Sequence, residues 1–439
     1  MQLSIRPSAV QAFLSKNISK FRPTTTLVVS SAAPSSSPSP SPLSHSLDKK
    51  SSPTKIDHPL QKFHNQISSH SKAVQFFTSM QHNLKTVQYG DNTLTSSFPT
   101  QDNINQAMDL MRRMGVDNSI IGVGNGAAID LAKACYLNMT KNSDIGSNQE
   151  QQQQLVLIPS TLGGILASAS KRSLILDVHE EALITSLLST SSCRVDDVHV
   201  LVDTKSLAIP MWLNSKRNTP RGNLPTIVDA LLASLVIAID TQCTIQTYSS
   251  FTNENQQELI DKCLQAGVSC LQQILSSCDE LNDYDSGIIQ SLANNEVKES
   301  ALHALFYAGQ LLSFGDLKND SLPRSMPLAM SSALLPKYFP HGNWMTFTGS
   351  FLPGLIQCMD EIDNVRSNMT SSNVAYLDWI QEELLRNRGG IIPSLSSLAE
   401  GAPDVNELVT KIDDNGALLR CNDGNIEFLE RVLMSSLNR

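Results

Sequence analysis

Apolar and polar positions change rhythm halfway along the chain. Up to about residue 205, short apolar runs alternate with amphipathic stretches. Runs at 24–29, 74–77, 84–89, 119–123, 155–158, 174–177 and 199–202 carry the β-branched, near-continuous pattern of strands. Between them, residues 8–20 place Val10, Phe13, Leu14 and Ile18 on one helical side, and 59–71 and 127–138 also read as helices. Residues 103–114 set Ile104, Ala107, Met108, Met111 and Met114 at helical spacing, and that methionine stripe reads as core packing. Strands alternating with helices predict a parallel α/β domain. From about residue 225 the pattern is helical, at 225–241, 254–277, 294–313, 347–363, 374–387, 404–412 and 424–437. The expectation is an α/β half (1–210) followed by an all-α half (211–439), with a ligand cleft where they meet.

Two low-complexity stretches interrupt this order. Residues 31–54 are Ser/Pro-rich and cannot build a core, so they read as an insertion or linker. Residues 141–154 read as a polar loop ending in glutamines.

Composition narrows the function. A net charge of −9 gives no basic surface for nucleic acid or an anionic membrane. No apolar run reaches the ~18 residues of a membrane span. Eight cysteines form no CxxC pair, which suits buried thiols in a reducing compartment. The N-terminus reads two ways. It has Arg6, Lys16, Lys20, Arg22 and many serines but no acid before Asp48, which resembles an organellar transit peptide. The strand at 24–29 and the helix before it argue instead for a structural segment and a cytoplasmic protein.

The chemistry concentrates at 119–135, SIIGVGNGAAIDLAKAC. An apolar strand runs into Gly122, Gly124 and Gly126, and a helix follows at once. Such a turn aims backbone N–H groups and a helix dipole at an anion, and glycine lets it come close. The spacing is neither the full G-x-G-x-x-G fingerprint nor a P-loop, and many α/β proteins carry such a turn without a nucleotide.

Several segments in order resemble the iron-type alcohol dehydrogenase superfamily, with its glycerol dehydrogenase-like and maleylacetate reductase-like members. GVGNGAAIDLAKA resembles the family's GGGSxIDxAKA turn, and Ile158-Pro159-Ser160-Thr161 its I-P-T-T segment. LVDTKSLAIP (201–210), TIVDALLA (226–233), Phe339-Pro340-His341-Gly342 and IPSLSSLAEG (392–401) resemble later family passages. The resemblance implies a Rossmann-like N-terminal domain and a helical C-terminal domain. It implies NAD or NADP on Gly122, Gly124, Asn125, Gly126, Asp130, Lys133, Ser160 and Thr161. It also implies a small alcohol, aldehyde or keto acid as substrate, and a homodimer is a candidate assembly.

The family's divalent metal, iron or zinc, is held by one carboxylate and three imidazoles and polarises the substrate oxygen. Carried over, the carboxylate is Asp229 and one imidazole is His341. The other two imidazoles fall on Ala233 and Pro327, and a substrate-side histidine on Ser331. His303 could stand in, although it reads better as a packed or surface residue, and Lys171, Arg172 and His341 are candidates for a metal-free mechanism. The family's polar T-G-S-E-like stretch becomes Gly164-Ile165-Leu166-Ala167, and the first strand ends in Ser30 and Ser31 where a carboxylate often reads the ribose. Two readings follow: an NAD(P)-dependent oxidoreductase, or a degenerate member kept as a binding or structural protein.

Overall fold

The computed structural model describes residues 1–6, 8–21, 26–31, 86–89, 98–116, 119–143, 153–177, 182–187, 198–204, 227–247, 254–313, 326–338, 344–359, 365–398, 405, 410 and 426–437. Its centre is a six-stranded sheet of β1 (Gln2–Arg6), β2 (Thr26–Ser31), β3 (Thr86–Tyr89), β4 (Ser119–Gly124), β5 (Gln154–Pro159) and β8 (Val198–Asp203). The order across the sheet is β1-β8-β5-β4-β2-β3. Every pairing in it is parallel.

The continuous apolar runs have a simple cause, because both faces of the sheet are covered. Leu27, Val29, Ile120, Leu155 and Leu157 face the main core. Their alternates Val28, Ile121, Val123, Val156 and Ile158 pack under α1 (Ala9–Asn17) through Val10 and Leu14. On the main-core side lie α2 (Gln101–Met114), α3 (Gly126–Ser143) and α4 (Leu162–Ala169). The Thr100 side chain caps α2, and the Asn103 side chain answers it. Ile104, Ala107, Met108 and Met111 are buried as the methionine stripe predicted, while Met114 is half-buried.

The helical half follows with α5 (Ile227–Thr247), α6 (Glu254–Leu281), α7 (Tyr284–Ala293), α8 (Asn295–Leu311), α9 (Met326–Tyr338), α10 (Trp344–Gly349), α11 (Leu352–Met359), α12 (Ser371–Trp379), α13 (Leu395–Leu398) and α14 (Ile426–Leu437). One apolar core runs without a break from the sheet into this half. The fold class expected from the sequence is the one observed.

Several expectations change. The strand expected at 174–177 runs Arg172–Asp177 (β6) and lies outside the main sheet, paired antiparallel with β7 (Ala182–Leu187). Four residues separate the two strands, enough for a hairpin and too few for a parallel crossover. The polar loop expected at 141–154 is entered by α3, which runs to Ser143, and by β5, which starts at Gln154. The helix expected over 347–363 is two helices, broken at Ser350 and Phe351. Pro353 sits in the first turn of α11, where it removes no helix hydrogen bond. Within 8–20 lie α1 and a closing 3-10 turn (Ile18–Lys20), and of the strand expected at 24–29 the described part, from Thr26, belongs to β2, which pairs within the central sheet. Expectations at 32–54, 59–71 and 74–77, most of 404–412, and the boundary at 210 lie outside the described residues. Among the described residues no helix is long and apolar enough to cross a membrane.

Candidate functional site

Because the main sheet is parallel, every strand delivers its last residue to one edge. From β2 the chain passes to β3 on one side and then to β4 on the other. Ligands of open α/β sheets bind in the crevice where strand order reverses in this way. Here the crevice lies between Ser30-Ser31, ending β2, and Gly124-Asn125, ending β4, with Ser30 opposite Val123 in register. Ser30 is buried and its hydroxyl has no hydrogen-bond partner.

Two strand–turn–helix units stand side by side at this edge. In the first, β4 ends at Gly124, whose φ of 137° disfavours any side chain. The Asn125 side-chain oxygen accepts from Ala128 N at 3.1 Å and so caps α3. Asn125 therefore completes the helix start. In the second, the Thr161 hydroxyl oxygen accepts from Gly164 N at 3.0 Å and caps α4.

The units touch through backbone. Ser160 N donates to Gly124 O at 2.8 Å. A Cβ on Gly164 would stand 2.6 Å from that same oxygen, and one on Gly122 would stand 2.7 Å from the Ala132 Cβ. Asn125, Gly126, Ser160, Thr161 and Gly163 are partly exposed among buried neighbours. Each cap serves the third amide of its helix, and helix geometry leaves the first two without an intrahelical acceptor. Two positive helix ends thus open toward one small, glycine-lined mouth.

Asp130 and Lys133 lie behind this mouth. Both are buried and form an ion pair at 2.7 Å. Lys133 Nζ also donates to Ala167 O at 2.8 Å, to Ser170 O at 3.3 Å and to Arg172 O. Burial pushes the Asp130 carboxyl up and the Lys133 ammonium down, and the opposite charge of each partner works against that shift. The Lys133 ammonium is enclosed and bonded to main-chain carbonyls. Arg172 likewise spends its Nε on Leu312 O at 3.1 Å, so it is a poor candidate for polarising substrate. Lys171 donates its backbone N–H to the Ser313 hydroxyl at 2.8 Å.

The metal-site region is different. Asp229 stands half-buried in the first turn of α5. One turn on, Ala233 is fully buried in the core and offers no donor. Gly349, ending α10, comes so close that a Cβ there would stand 3.0 Å from the Leu232 Cβ and 3.5 Å from Ala233 N. Pro327 and Ser331 sit in α9, and the Ser331 hydroxyl donates back to Pro327 O within that helix. His303 stacks on Tyr307 of its own helix with ring centroids 5.9 Å apart. His341 lies outside the described residues. Among the described residues no three His, Cys, Asp or Glu side chains gather as a metal site. An alanine methyl and a proline ring cannot ligate iron or zinc, so the residues at these positions do not fit the metal.

Comparison with known proteins now bears on the fold. The family model for iron-containing alcohol dehydrogenase matches residues 63–187. Among solved structures, an iron-containing alcohol dehydrogenase from Thermococcus thioreducens is similar at TM-score 0.61 and 15% identity, covering 100% of this chain and 98% of that one. The iron-containing alcohol dehydrogenase from Thermotoga maritima is similar at TM-score 0.58 and 13% identity, with 100% and 98% covered. Maleylacetate reductase from Agrobacterium tumefaciens is similar at TM-score 0.56 and 12% identity, with 100% and 96% covered. No curated protein matches by sequence. The resemblance to the iron-type alcohol dehydrogenase superfamily therefore rests on a sequence match over 63–187 and on the fold of the whole chain.

Proposed function

We propose that this protein is an NAD(P)-dependent oxidoreductase of the iron-type alcohol dehydrogenase kind, taking a small alcohol, aldehyde or keto acid. One observation carries the reading. Two capped helix N-termini stand side by side on the carboxyl edge, that of α3 flanking the point where strand order reverses, and the close approaches at Gly122 and Gly164 leave no room for a side chain. That cradle fits a dinucleotide pyrophosphate: the first-turn amides of α3 and α4 would bind its oxygens, with Gly126, Ser160 and Thr161 at the mouth. When bound, a nicotinamide supplies hydride transfer to or from a substrate carbon. Strand β2 ends in Ser30 and Ser31 rather than in the carboxylate that often reads the ribose.

The test is titration of the purified full chain with NADH and NADPH, followed by nucleotide fluorescence. Saturable binding of either is expected. Failure of both to bind would overturn the reading.

A second reading, a binding protein that no longer turns over substrate, is supported by Ala233 and Pro327, which stand where donors are needed. Assay of small alcohols and aldehydes with both dinucleotides, alongside metal analysis, separates the two. Turnover, or stoichiometric iron or zinc, would sink the second reading.

A further inference from the structure

We infer that Lys133 is a positioning residue: it fixes α4 at its C-terminal end so that the N-termini of α3 and α4 converge on one dinucleotide. The inference rests on the binding reading above and assigns Lys133 a part that does not touch the ligand.

The geometry is that of a short rod held at two points. Helix α4 has eight residues, which makes it about 12 Å long. Its N-terminal end is held against the glycine turn, with Ser160 N on Gly124 O at 2.8 Å and no space for a Cβ at Gly164. One contact point leaves a rod free to pivot. The second point is Lys133, which rises from the second turn of α3 and donates to Ala167 O, Ser170 O and Arg172 O. Two of these carbonyls lie at or just past the end of α4, where the negative pole of a helix favours a cation.

Asp130 shares the ammonium and orients it. The far side of this junction is closed as well. Gly309 of α8 comes so near that a Cβ would stand 2.4 Å from Leu166 O. Arg172 Nε and Lys171 N are taken by Leu312 O and the Ser313 hydroxyl. The end of α4 is thus gripped by α3 on one side and by the helical half on the other, with Lys133 supplying the grip from the nucleotide side.

The test uses the full chain. Lys133→Met alone leaves Asp130 charged and buried and could unfold the protein, so the working variant is Asp130→Asn with Lys133→Met, which removes both charges. Two readouts are taken well below the melting temperature: NADH and NADPH affinity, and amide hydrogen exchange across 163–169 without nucleotide. A positioning role predicts roughly tenfold weaker dinucleotide binding and faster exchange in α4, in protein whose circular dichroism is otherwise unchanged. A folded variant with wild-type affinity and wild-type exchange would overturn the role, since a merely structural pair would move only the melting temperature. Wild-type protein that binds neither dinucleotide would overturn the binding reading itself. Slowed α4 exchange in the variant would overturn the grip directly.

Discussion

The sheet edge and the α5–α9–α10 corner differ in what their ligands would ask of the chain. A phosphate cradle is made of backbone amides. It survives exchange of side chains provided a few Cβ positions stay empty and the caps stay filled. The edge shows this: Asn125 stands where the family has glycine and caps α3. Ile165 and Leu166, which stand where the resembled pattern is polar, are buried in the core. A metal centre is made of side-chain donors, and each substitution removes one. At the corner, Ala233 and Pro327 are buried and supply no donor. A backbone cradle can therefore be read at the sheet edge, whereas at the corner the donors a metal would need are absent from Ala233 and Pro327.

The strongest challenge to this comparison is to rebuild the corner. Ala233→His restores a donor one turn from Asp229, but it puts an imidazole into a position that is 0% exposed and faces Gly349. Overpacking and an unsatisfied ring nitrogen together predict a loss of about 2–5 kcal/mol. Thermal unfolding with and without added zinc checks it. A fall that zinc does not reverse is expected, whereas recovery with zinc would mean the corner still holds a metal pocket.

The matching test at the edge is Gly164→Ala. Its new Cβ meets a backbone oxygen at 2.6 Å and the Pro159 Cβ at 3.2 Å. Backbone cannot swing aside as a flexible side chain can, so the cost is about 1–3 kcal/mol and dinucleotide binding weakens with it. Wild-type affinity in this variant would mean that the α3–α4 contact is not part of the cradle.

What the sequence could say follows the same division. Residues 119–135 announce a strand, a tight turn and a helix because each has a local signature, and all three stand where expected. The apolar run at 174–177 shows a strand but carries no information on its partner, so the β6–β7 hairpin could not be told from a sheet strand. Strand β1 escaped notice because QLSIR is half polar, as an edge strand can afford to be. Lys133 was legible as a motif residue but not in its role. Its acceptors are main-chain carbonyls 34 to 39 residues away, and a carbonyl has no residue type. Substituted donors at Ala233 and Pro327 could be counted in the sequence, but only the packing shows that the core has closed over Ala233.

A pH experiment asks whether the two halves fold as one. Cys135 lies in α3 and Cys270 in α6, and burial pushes both thiols up from 9.0 to about 12. In the unfolded chain they ionise near 9. The unfolded state therefore binds fewer protons above that pH, and stability falls as pH rises. The contribution is whole below about pH 9 and is lost toward 12, at about 1.4 kcal/mol per pH unit for each thiol. Because one core spans both halves, a single alkaline transition is expected. Far-ultraviolet circular dichroism should coincide with the fluorescence of Trp344 and Trp379, which report the helical half. Two separated transitions would show that the halves are independent.

The smallest effect sets two hydroxyls against each other. Thr161 caps α4 at the mouth, while Ser331 bonds back into its own helix at the corner. Removing a helix cap costs about 1 kcal/mol, and Thr161→Ala should also loosen dinucleotide binding because it frees the first turn that faces the ligand. A serine that bonds to the carbonyl four residues earlier adds little to its helix, so Ser331→Ala should leave stability within about 0.5 kcal/mol. Denaturant unfolding of the two variants side by side decides it. If Ser331→Ala costs as much as Thr161→Ala, the corner holds its hydroxyl for a purpose that packing does not explain, and the contrast between a kept cradle and a filled metal site fails there.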